Sequence, residues 1–126
     1  MPRRSPGKHS RTPALLERAR ALCLSLPETS EVSSWGHPNF RAGKKTFVAF
    51  EQIDGRASIA FRLEPGDVDR LLHRPRFFAT PYGRGQWVSV WAAAGLEWAL
   101  VADLVGRSYR VVALKRMLKK FEDVRS

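Results

Sequence analysis

The chain has 126 residues, 44 % of them hydrophobic, with 22 lysines and arginines against 12 aspartates and glutamates. That length suits one domain able to bury roughly two-thirds of its unfolded surface without metals or disulfides. A single cysteine, Cys23, excludes an internal disulfide framework, and no apolar run reaches the roughly 18–20 residues of a membrane span.

The net charge of +10 is unevenly placed. Residues 1–12 carry four cations and no acid, and residues 107–126 carry seven cations and two acids, while the intervening body holds 11 basic and 10 acidic side chains. A nearly neutral body with two basic ends points to a polyanionic partner, with nucleic acid ahead of a membrane surface. The plainer reading is that the basic ends only aid solubility. No apolar segment follows the basic N-terminus, so no secretory signal is read and a cytoplasmic protein is expected.

Residues 1–12 are rich in Pro, Gly, Ser and Arg and are expected to form a disordered basic arm, leaving 13–126 as the single domain. Thr12 and Pro13 suit an N-cap and a first helical position. Leu15, Ala19, Leu22 and Leu26, with Leu16 and Cys23, then make an apolar helical stripe that Pro27 ends. Cys23 reads as a buried structural thiol, since nothing cationic or catalytic flanks it. The segment Trp35-Gly36-His37-Pro38-Asn39-Phe40-Arg41, followed by Ala42-Gly43-Lys44-Lys45, marks the entrance to a sheet. There Trp35 and His37 serve as a structural bend or as a ligand contact.

Strands are expected at 47–50 and 57–61, joined through Asp54-Gly55. Strict alternation would put Phe47 and Ala49 on one face, Val48 and Phe50 on the other. A short helix opens at Glu64-Pro65 and stops before Pro75. Residues 76–85 read as a loop, and 86–91 return to strand with Trp87, Ser89 and Trp91 on one face. From Leu96 the period becomes helical, through Leu100, Val101, Leu104, Val105, Ser108, Val111 and Val112. A second stripe of Leu114, Met117, Leu118 and Phe121 is out of phase with the first, which predicts a break near Ala113. The pattern is that of an α+β domain, an antiparallel sheet with helices packed on one face.

Catalytic signals are weak. His9, His37 and His73 have no metal-ligand spacing, and no nucleophile elbow, P-loop or dinucleotide fingerprint is present. No acid–base pair is evident, so no enzyme, cofactor or metal is expected. Gly83-Arg84-Gly85 reads as a turn before it reads as a phosphate nest. Trp35, Phe40, Tyr82, Trp87 and Trp91 offer a base-stacking platform, although their alternation with polar residues favours core packing.

Several blocks resemble the MmcQ/YjbR family of small bacterial proteins. They are Trp35-Gly36-His37-Pro38-Asn39-Phe40-Arg41, Lys45-Thr46-Phe47, Arg76-Phe77-Phe78-Ala79-Thr80-Pro81-Tyr82 leading to Trp87-Val88, and Ser108-Tyr109-Arg110-Val111-Val112-Ala113 with Lys115-Arg116. The resemblance covers about residues 14–121. It implies a CyaY-like (frataxin-like) α+β fold and DNA binding through a double-wing arrangement, with no catalytic residues. The family commonly has Pro where this chain has Leu114, and the basic arm lies outside the matched blocks. Iron binding needs an acidic surface of oxygen ligands, and the first helix sets Glu17 against Arg18 and Arg20, so iron is rejected.

The leading expectation is a monomeric, non-enzymatic DNA-binding protein that reads mainly phosphates. The expected contacts are Arg41, Lys44 and Lys45 at the sheet turn, Arg84 in the loop, Arg110, and Lys115, Arg116, Lys119 and Lys120 on the last helix, with Arg3, Arg4, Lys8 and Arg11 adding affinity from the arm. The rival is a protein-interaction or small-ligand module in which the Trp35–Phe40 bend and the Phe77–Tyr82 loop line a pocket.

Overall fold

The computed structural model of the chain describes residues 6–83 and 85–125, and side chains over 12–83 and 85–123. Arg84, Arg3 and Arg4 lie outside the described residues, as do the side chains of Lys8 and Arg11. The first helix, α1, spans Pro6–Leu24 and contains Pro13, so it begins upstream of the expected cap at Thr12. Ala19 and Cys23 on its inner stripe are buried, with Leu15, Leu16, Leu22 and Leu26 packed around them.

Six antiparallel strands follow: β1 Thr29–Ser34, β2 His37–Ala42, β3 Lys45–Ile53, β4 Arg56–Arg62, β5 Phe77–Ala79 and β6 Trp87–Trp91. Their order in the sheet is β1-β2-β3-β4-β6-β5. α2 (Pro65–Leu71) connects β4 to β5, and α3 (Trp98–Val112) and α4 (Lys115–Arg125) complete the chain. The α+β class, the Asp54-Gly55 hairpin and the break at Ala113 are as expected. The loop expected over 76–85 instead contributes β5, which zips onto β6 from Phe77↔Val90 to Ala79↔Val88. No helix among the described residues is long and apolar enough to cross a membrane.

Strict alternation fails at one place in β3. Phe40 pairs with Val48, but the next residue of β2, Arg41, pairs with Thr46, so Phe47 is bulged out of the ladder. A bulge lets two successive side chains turn to the same face. Val48 shares its face with Phe61 and Val88 through the register, and Phe47 meets Tyr109 of α3 edge-on at 5.8 Å. Both therefore lie beneath the helices, which corrects the assignment of Phe47 to the face opposite Val48.

The helices cover one face only. Phe40, Phe47, Val48, Phe50, Ile59, Phe61, Val88 and Val90 are buried there against Val101, Leu104, Val105, Tyr109 and Val112 of α3 and Met117 and Phe121 of α4. Tyr109, absent from the expected stripe, is fully buried and is the hub of the layer. Its hydroxyl donates to the Pro27 carbonyl at 2.7 Å, and its ring meets Phe47 and Phe121. α1 is fastened to β1 by Arg20, whose guanidinium donates to both carboxylate oxygens of Glu31 at 2.6 and 2.9 Å.

Burial pushes the Cys23 thiol far above its ordinary value, with the Glu31 charge adding to the shift. The thiolate is the reactive form. A disulfide reagent such as dithionitrobenzoate is thus expected to leave Cys23 unmodified in the native protein and to modify it fully in denaturant.

Candidate functional site

Two regions of the surface combine residues that can recognise a partner. The first is a basic end. β2 and β3 are joined by a two-residue loop, Gly43-Lys44, in which Gly43 takes φ +61° and donates its N–H to the Glu28 carbonyl at 3.0 Å. A β-carbon on Gly43 would lie 3.7 Å from Met117 Sδ, so the loop rests directly on α4. Lys44 and Lys45 thereby stand beside α4, whose Lys115, Arg116, Lys119 and Lys120 are all exposed. Arg116 and Lys120 both pair with the Glu28 carboxylate, Lys120 at 3.1 Å. Glu28 is held below the usual carboxylate range chiefly by its hydrogen bond from Arg116, then by that from Lys120.

Not every expected contact joins this end. Arg41 pairs in the ladder with Thr46 and shares the helix-free face with Asn39, half-buried, its Nε without a partner among the described residues. Arg110 lies over the Phe121 ring at 4.8 Å and pairs with Glu122 at 2.5 Å, which spends its charge locking α3 to α4. The loop turn and the last helix converge, while Arg41 and Arg110 stand apart. Leu114, expected in the apolar stripe of α4, is exposed in the break between the helices, where its carbonyl accepts from the N–H groups of Met117 and Leu118.

The second region is a cleft of about 560 Å³ on the helix-free face. Its walls include Trp35, His37, Asn39, Glu51, Tyr82 and Trp87. The β1–β2 hairpin closes through Trp35-Gly36, both at positive φ (56° and 80°), the two-residue turn whose twist matches antiparallel strands. A tryptophan in this left-handed region is disfavoured by its β-carbon. It is also 95 % exposed. Of the two roles expected for Trp35, structural bend or ligand contact, its exposure leaves it no part in anchoring the bend. The bend is held instead by Asn39, whose Nδ2 donates to the His37 carbonyl at 3.2 Å and the Ser34 carbonyl at 3.4 Å.

Beyond the bulge the register Asn39↔Ala49 continues two residues to set His37 beside Glu51. His37 Nε2 lies 3.4 Å from Glu51 Oε2, and the Tyr82 hydroxyl donates to the same oxygen at 2.7 Å. Burial first, then the hydrogen bond to Glu51, pushes the Tyr82 phenol far above its ordinary value, so it remains a donor. Glu51 Oε1 and His37 Nδ1 are buried without partners among the described residues. The sequence reading found no acid–base pair because these two residues meet only through the bulged hairpin. Glu51 itself was overlooked. Its signal was a lone carboxylate placed directly after the apolar run 47–50.

The aromatic residues divide between the layers. Phe40 is in the core, whereas Trp87 and Trp91 share the helix-free face with Ser89, and Tyr82 packs edge-on against Trp87 at 5.7 Å. Core packing, the favoured expectation for these residues, therefore holds for Phe40 alone. Trp91 is occupied on both sides, stacked on Phe78 at 4.3 Å and covered by the Arg56 guanidinium at 3.8 Å. Gly83 is a packing position, since a β-carbon there would come within 2.1 Å of Trp87 Cδ1. Among the described residues no cluster of three or more His, Cys, Asp or Glu is arranged to hold a metal ion.

No curated protein matches the chain. Among solved structures, a Deinococcus radiodurans protein, DR2400, described by the domain DUF419, is similar with a TM-score of 0.68 and 17 % identity, over 85 % of this chain and 87 % of that one. A Pseudomonas syringae protein is similar with a TM-score of 0.58 and 18 % identity, over 68 % of this chain and 87 % of its own. Likeness at these identities concerns the fold alone. The family model of YjbR matches residues 24–111, from the end of α1 through most of α3. With most of its length matched, including both the cleft and the Gly43-Lys44 loop, the chain belongs to the YjbR family.

Proposed function

We propose that the protein is a non-enzymatic DNA-binding protein that grips the phosphate backbone with its basic end. The observation that carries this reading is the seating of Gly43 between the Glu28 backbone and Met117, which brings Lys44 and Lys45 beside the α4 cations Lys115, Arg116, Lys119 and Lys120, of which Arg116 and Lys120 pair with Glu28. α4 adds to the field. Its first turn contains no acid but does contain Lys115 and Arg116, so cations sit at the end where the helix dipole is already positive. That arrangement disfavours the free protein and is relieved by an anion such as phosphate. The double-wing DNA-binding arrangement implied by the family resemblance agrees in kind with this reading.

The test is fluorescence anisotropy of a labelled DNA duplex titrated with the full chain at about 50 mM salt, where phosphate-dominated binding is strong. Saturable binding is expected; a flat titration would remove the proposal. A companion variant, Glu28→Gln, releases Arg116 and Lys120 and is expected to tighten duplex binding.

The same substitution has a pH signature. Glu28 and Glu31 have depressed folded-state pKa values, Glu31 mainly through its hydrogen bond from Arg20. Depressed carboxylates stabilise the fold above their unfolded pKa of about 4.3, and this contribution is lost as pH falls through their folded pKa. Glu28→Gln with Glu31→Gln is expected to flatten the acid limb of a melting-temperature profile and leave its alkaline limb unchanged.

A further inference from the structure

The cleft on the helix-free face has no part in the basic end. Among the described residues its walls contain one carboxylate, Glu51, and neither lysine nor arginine, in a chain whose net charge is +10. The Glu51 side chain is only 8 % exposed. One of its oxygens takes the Tyr82 hydroxyl, and the other, Oε1, has no donor among the described residues. A buried carboxylate oxygen left without a donor is costly. Such a site favours a ligand that brings both an N–H and a positive charge. Trp35, Trp87 and Tyr82 supply ring faces and edges around it, and aromatic faces attract organic cations. The volume lies within the range of small-molecule sites, roughly 300–1,000 Å³.

We propose that this cleft binds a free small alkylammonium compound, its N–H groups donating to Glu51 Oε1 and its charge and alkyl chain lying between Trp35 and Trp87. Glu51 is the charge partner, and Tyr82 fixes its carboxylate by holding Oε2. His37 borders the same carboxylate, and its Nδ1 has no partner among the described residues. Because Oε1 is shielded from water in the free protein, the ligand reaches it only after a local shift of the cleft wall, while Tyr82 keeps its hold on Oε2. The strained, exposed placement of Trp35 fits a contact residue, since a side chain with no partner gains nothing from a disfavoured backbone.

The experiment titrates n-butylammonium chloride into the full chain and follows the indole N–H signals of its four tryptophans by NMR. Saturable shifts are expected at Trp35 and Trp87 and not at Trp91 or Trp98, and n-butanol and butyrate are expected to bind much more weakly. Glu51→Gln should weaken n-butylammonium at least about tenfold, roughly the worth of one charge-assisted contact. Trp35→Asn is the second variant. It puts a residue that tolerates positive φ into the turn, so it keeps the fold and should also weaken binding. No saturable shift, equal binding of n-butanol, a preference for butyrate, or unchanged affinity in both variants would overturn the proposal.

Discussion

Tyr109→Ala is expected to cost about 3–5 kcal/mol, the range for removing a large buried aromatic side chain. Leaving the Pro27 carbonyl without its donor adds to the loss. Typical domains have only about 5–15 kcal/mol in all, so this variant is expected to be largely unfolded near 37 °C. Three contacts make the effect large. The ring packs edge-on against Phe47 at the bulge and against Phe121 of α4, and the hydroxyl holds the connection between α1 and β1 at Pro27. Tyr109→Phe keeps the rings in contact and removes only the hydrogen bond, so about 1–2 kcal/mol is expected. Denaturant melts of the two variants separate packing from hydrogen bonding, and equal losses would contradict this division.

The second large effect concerns binding. Replacing Lys44, Lys45, Lys115 and Lys119 together by Gln is expected to weaken duplex binding by more than about tenfold at low salt and to leave the melting temperature nearly unchanged. These four lysines are exposed and make no ion pair among the described residues. Their removal takes away attraction for phosphate without breaking a contact of the fold. Arg110→Gln is the contrasting variant. Its charge already faces Glu122 and its guanidinium covers Phe121, so it should affect the junction of α3 and α4 more than DNA binding.

Much of the fold was legible because local rules and tertiary packing agreed. Asp54-Gly55 gave a hairpin that the register Ile53↔Arg56 reproduces, and the phase shift between two helical stripes located the break at Ala113 without the family's proline. β1 carried no such signal. Its sequence Thr-Ser-Glu-Val-Ser-Ser lacks apolar alternation, and its place at the sheet edge is secured by pairing with β2 and by the Glu31–Arg20 contact with α1.

The candidate sites were legible in part for a similar reason. Lys44, Lys45 and the α4 cations could be named from charge alone, but their adjacency depends on Gly43 meeting Met117 across the fold. The cleft depended on the bulge at Phe47. Without that extra residue, the pairing Arg41↔Thr46 would continue to set His37 opposite Phe50 instead of Glu51. A one-residue change of register of this kind exchanges the two faces of a strand, and nothing in the run Lys45–Ile53 announces it. Trp35 stays open in the sequence, as part of the bend or as a ligand contact, for a related reason. A tryptophan beside a Gly-X-Pro bend fits either role until its positive φ and its exposure are seen.

The most direct test of phosphate recognition by the basic end is the salt dependence of duplex affinity, compared between the wild-type chain and the variant lacking the four lysines. Each neutralised phosphate contributes about 0.9 to the slope of log affinity against log salt. With roughly four to six contacts, the wild type should lose about two to three orders of magnitude in affinity between 50 and 200 mM salt. The variant's slope should be shallower by up to about 3.6, four times that increment. Equal slopes for the two proteins, or a wild-type affinity indifferent to salt, would contradict the account.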